Sequence, residues 1–203
     1  MGIFSMFSKN NKVGGIIKDL QLESFYNPLS VEEKEMMKNV LEPKFVLGYN
    51  PYTKKDLDQG NAKWDRSISD FFLVIGKAVS KELSIKLYEE SMNHSDNDYV
   101  AQHLIKQDLA EKYYQLKQFD KCEEYCKKDI AEIDKYINDK IFKGATVYSF
   151  KRLAILYEKQ ERYNEAIEVC ELAMKYNQID GTKGSYESRL SKLQKKLEKA
   201  NSL

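Results

Sequence analysis

The stretch SFKRLAILYEKQERYNEAIEVCELAMKYN, from Ser149 to Asn177, carries two amphipathic patterns back to back. Phe150, Leu153, Ala154 and Tyr157 recur at i, i+3, i+4 and i+7, which is one face of a helix. Beyond Tyr163, at the turn, Ala166, Cys170 and Ala173 mark a second helix. Small residues let two helix backbones approach closely, and the large ones opposite fill the grooves between them. The stretch therefore predicts an antiparallel helical hairpin.

Similar periodicity runs along the rest of the chain, and no strand pattern competes with it. Three prolines and nine glycines in 203 residues argue against a turn-rich β fold and against disorder. Ser30 and Glu33 form a capping box, and Val31, Met37, Val40 and Leu41 give the helix that follows one apolar side, up to Pro43. Loop signals fill 44–64, with room for a short helix at Lys54–Gln59. The spacing predicts helices over 65–79, on Ile68, Phe72, Ile75 and Val79, and after Ser80, on Ile85, Tyr88 and Met92. Another spans Tyr99 to Leu116. Asp120 is read as the cap of a long helix reaching Phe142, with Cys122, Cys126, Ile130, Ile133, Ile137 and Ile141 along one stripe and Gly144 after its end. Tyr186, Leu190, Leu193 and Leu197 define a last helix over 184–200. The expected layout is a tail at 1–28, disordered in part or docked, then a helical region at 29–98 and a regular array at 99–203. The tail holds the apolar cluster Ile3, Phe4, Met6 and Phe7.

The hairpin resembles a tetratricopeptide repeat, whose period is 34 residues, with W-x2-L-G-x2-Y on one helix and A-x3-F on the next. Phe150 stands at the Trp place, Leu153, Ala154 and Tyr157 at the L-G-Y places, and Ala166 and Cys170 at the A and F places. Asn177 and Gln178 stand where the family has its proline. A weaker copy has Leu109, Ala110 and Tyr113, then Phe119, Cys122 and Cys126, with Lys106 at the Trp place. Leu109 and Leu153 are 44 residues apart, so the lengthened helix after Asp120 absorbs the excess over the period. The resemblance implies an all-α array of antiparallel helical hairpins, with repeats at about 103–136 and 147–180 and a capping helix at 184–200. The order of elements over 30–200 also resembles a loose group of bacterial or phage proteins that open on an L-S-x-E-E-[KR] helix, here Leu29 to Lys34.

The same residues constrain function. A net charge of +1 gives no support for nucleic-acid binding over the whole surface. Three cysteines within helical patterns do not read as a secreted disulfide framework. No apolar run approaches a membrane span, and the start lacks the features of a signal peptide, so a cytoplasmic setting is expected. Gly2 precedes Met6, not the Ser or Thr that myristoylation asks for. Cys122, Cys126, His94 and His103 lack the spacing of a zinc site, and no Gly-rich phosphate loop occurs. Neither an enzyme nor a cofactor is expected. The resemblance instead implies a concave face that binds a protein or peptide, formed by Leu104, Gln107, Glu111 and Tyr114 from one repeat. Tyr148, Lys151, Ile155 and Glu158 come from the next. The groove is either open or filled by the chain itself, for instance by 31–41. Lys151 and Arg152 resemble part of a carboxylate clamp, but Asp108 and Glu111 stand where Asn belongs and would repel a carboxylate. Two other readings are a homodimer through the repeat surface and contact of nucleic acid with the basic last helix, on Arg189, Lys192, Lys195, Lys196 and Lys199.

Overall fold

The computed structural model describes residues 13–42, 52–142 and 145–202. The apolar cluster Ile3–Phe7, Pro43 and Gly144 lie outside them. Among the described residues there are eleven α-helices and no strand. They are α1 (Gly15–Asp19), α2 (Glu23–Tyr26), α3 (Val31–Leu41), α4 (Ile68–Gly76), α5 (Lys81–Met92) and α6 (Tyr99–Gln115). Then come α7 (Phe119–Ala131), α8 (Ile133–Tyr136), α9 (Tyr148–Lys159), α10 (Tyr163–Lys175) and α11 (Ser185–Asn201).

From α4 onward the helices pack as neighbouring pairs: α4 with α5, α6 with α7, α9 with α10, and α11 against α10. Each second helix also packs on the first helix of the next pair, α5 on α6 and α7 on α9. The pairs share one register. Ser84, Tyr88 and Ser91 in α5, Cys122, Cys126 and Asp129 in α7, and Ala166, Cys170 and Ala173 in α10 all fall at i, i+4 and i+7, and all are buried. These places face the partner helix and favour compact residues, because larger ones would push the axes apart. In the first pair the compact residue comes from the other side. Gly76 ends α4 where a Cβ would run into the Tyr88 ring, so glycine is what lets these helices close.

Two cores meet at the α4–α5 pair. Phe71, Phe72, Ile75, Leu83 and Leu87 join the N-terminal core with Ile16, Ile17, Tyr26, Met37 and Trp64. Leu73 and Tyr88, on the opposite faces, join the C-terminal core. Of the segment 1–28, the described residues from Val13 on pack into the N-terminal core. Ile16 and Ile17 are fully buried, and the Tyr26 hydroxyl donates to Asp58 Oδ2 at 2.8 Å.

Several sequence expectations need correction. The long helix after Asp120 breaks at Glu132, giving α7, α8 and a 3-10 turn at Lys140–Phe142. Lys106, buried on α6, pairs with Glu132 at the bend. Tyr136 then stacks on the His103 ring at 4.2 Å, and Phe142 meets its edge at 4.9 Å. Tertiary packing thus overrides an uninterrupted apolar stripe. Asp120 is not the cap: α7 begins at Phe119, after Gln118. Ser67 caps α4, accepting from Asp70 N, so that helix starts at Ile68 and leaves Val79 outside. Lys54–Asp56 is a 3-10 turn, and Val31, on the first turn of α3, points to solvent. The capping box at Ser30 and the caps at Ser80 and Asp98 are present.

Across the α7, α9 and α10 side, Glu123 accepts from Arg162 Nη1 at 2.6 Å, Lys127 Nζ at 2.6 Å and the Tyr157 hydroxyl at 2.9 Å. The Arg162 hydrogen bond leads in holding its carboxyl down at about 2. The folded pKa lies below the unfolded one, so this stabilisation is full above about pH 4.5 and is lost as pH falls toward 2. Arg162 is a third exposed, which reduces the value to roughly 1–2 kcal/mol. Glu123→Gln should lower the urea midpoint at pH 7, and its difference from the natural chain should shrink at pH 3. An equal difference at both pH values would contradict the assignment.

Candidate functional site: a groove between two first helices

The candidate site forms where α6 and α9 run side by side. The start of α9 has no side-chain cap of its own. Its free N–H groups find partners elsewhere: Tyr148 N donates to Gln107 Oε1 at 3.0 Å, and Val147 N donates to Gln178 Oε1 at 2.8 Å. Below this point Arg152 pairs with Glu111 and lies 3.9 Å over the Tyr114 ring. Lys159 also lies over that ring and donates to its hydroxyl.

Between the two helices is a hollow of about 430 Å³. It is lined by Gln107, Glu111, Tyr148, Lys151 and Ile155 from the sequence-derived set, together with Asp108, Ala110, Ser149 and Arg152. Tyr114 does not line it, because Arg152 and Lys159 cover the ring. Glu158 does not either: it lies one turn beyond Ile155, where Arg189 Nη1 reaches it at 3.2 Å and Lys196 Nζ at 2.8 Å from α11. There a second hollow of about 380 Å³ opens between α9 and α11, lined by Glu158, Asp180, Lys183, Arg189 and Lys192 among others. Lys151 links the two, its ammonium donating to Asp180 O at 2.7 Å. Leu104 and Tyr148 hold matching places on α6 and α9 and are both exposed, Tyr148 at 57%. α3 is not the occupant of the groove. Its Glu33 pairs with Lys86 of α5 at 2.6 Å, and Met37 and Leu41 enter the N-terminal core.

The wall chemistry is mixed. Burial pushes the Asp108 carboxyl above the usual aspartate range. Arg152 Nε is buried without a hydrogen-bond partner. Behind the hollow, Ser149 Oγ donates to Asp129 Oδ2 at 2.6 Å, and His103 Nδ1 meets Asp129 Oδ1 at 2.7 Å. All three residues are at most 2% exposed, so they brace α6, α7 and α9 and do not face solvent. This brace was not legible in the sequence. Its one signal is that Asp129 takes the place held by Ser91 and Ala173 in the neighbouring pairs.

The three thiols are fully buried, and burial pushes Cys170 up to about 12. Among the described residues no three His, Cys, Asp or Glu side chains gather as a metal site, and no helix is long and apolar enough to cross a membrane. No protein-family model, curated protein or solved structure matches the chain.

Proposed function

We propose that the chain is a non-catalytic module, built from degenerate tetratricopeptide-like hairpins, that binds a protein or peptide in the groove between α6 and α9 and acts as an adaptor, regulator or inhibitor in the cytoplasm. The observation that carries this is the hollow itself, beside Tyr148, a residue that is 57% exposed. An exposed tyrosine on a braced helix is a low-entropy anchor, and such residues dominate binding energy at interfaces. The shared register of α5, α7 and α10 supports the repeat reading.

The test is capture of partners by the natural chain and by a Tyr148→Ala/Ile155→Ala variant, followed by affinity measurement with the purified partner. The variant should bind roughly 30-fold or more weakly. Light scattering addresses self-association: a tight dimer that the variant dissolves would assign the face to a second copy instead.

A further inference from the structure

We infer that the groove's partner is an acidic protein segment, laid across α9 so that its carboxylates meet Lys151, Lys183 and Lys192. This rests on the groove reading above and adds the chemistry of the partner. It follows from the charges that line the two hollows flanking α9.

Three of the four carboxylates in their walls already have a partner within the chain. Glu111 is paired with Arg152, and Glu158 with Arg189 and Lys196. Asp180 is 2% exposed and holds Arg189 Nη2 at 3.1 Å. The fourth, Asp108, is partly buried on α6. The ammonium groups are not balanced in the same way. Lys151 reaches a neutral carbonyl, and Lys183 and Lys192 show no carboxylate within ion-pair distance among the described residues. Unmatched lysines in the two hollows favour a partner of opposite sign, both in encounter rate and in register. Glu111, one of the two carboxylates that argue against a clamp for a chain-terminal carboxylate, is held by Arg152 and is no barrier to side-chain carboxylates spaced along a segment.

The experiment uses the full chain and short, C-terminally amidated, fluorescein-labelled peptide pools of Leu, Tyr, Gly and Ser mixed with Glu, with Gln or with Lys. A single-stranded oligonucleotide is the fourth probe. The Glu pool should bind best, more tightly at low salt, and Lys183→Glu/Lys192→Glu should weaken it roughly tenfold or more. Both lysines are exposed on the surface, so the variant retains its fold, which circular dichroism checks. A Glu pool that binds no better than the Gln pool, or binds the lysine variant unchanged, overturns the inference. So does an oligonucleotide that outcompetes the Glu pool through the same lysines, which assigns the face to phosphates. The groove reading fails separately if Tyr148→Ala/Ile155→Ala alters the binding of no pool.

Discussion

Asp129→Ala is expected to destabilise the fold by about 3–5 kcal/mol, more than any substitution in the groove wall. Asp129 is fully buried and is acceptor to both His103 and Ser149. Removing it strands two buried polar groups from different helices and leaves a void. Each stranded donor costs about 1–3 kcal/mol, because no water replaces the lost acceptor. A domain of ordinary stability has only ~5–15 kcal/mol in total. Asp129→Asn keeps the shape and one acceptor oxygen, so its cost should fall between the natural chain and alanine. Urea unfolding with an unchanged slope measures both. An alanine variant within about 1 kcal/mol of the natural chain would show that the brace does not hold α6, α7 and α9 together.

The second large effect is on binding and should leave stability nearly untouched. Tyr148 is more than half exposed, and its backbone, not its ring, is what Gln107 holds. Truncating the ring removes no core contact, and α9 keeps Phe150, Leu153, Ala154, Leu156 and Tyr157 in the core. Combined with Ile155→Ala, it empties the apolar part of the groove wall. A loss of about 2 kcal/mol or more in affinity is expected, with a melting temperature within a few degrees of the natural chain. Lys151 is a poorer choice for this test, since its hydrogen bond to Asp180 O also ties α9 to the segment before α11.

The α9–α10 hairpin is legible in the sequence because every residue of its stripe packs on one side. Phe150, Leu153, Ala154 and Tyr157 are all buried, as are Ala166, Cys170 and Ala173. The α4–α5 pair obeys the same register but is hidden. Ser84 and Ser91 are polar by type, and the other apolar residues of these helices serve a second core. The break at Glu132 is hidden for another reason. No Gly or Pro marks it, Ile130, Ile133 and Ile137 continue the stripe past it, and it exists because Tyr136 and Phe142 close over His103. The groove is partly legible. The repeat resemblance groups Gln107, Glu111, Tyr148, Lys151 and Ile155, and they line one hollow. It does not show that Arg152 and Lys159 cover Tyr114, or that Arg189 and Lys196 hold Glu158. Those pairings join residues far apart in the chain.

The proposed binding face can be tested by site-specific photo-crosslinking in cells. One variant carries a benzoylphenylalanine in place of Tyr148, on the groove. A second carries it in place of Leu172, which is exposed beside a hollow between α7 and α10 on the other side. A discrete adduct with a partner protein is expected from position 148 and none from position 172. An adduct from position 172 alone would place the partner on the other side and contradict the groove.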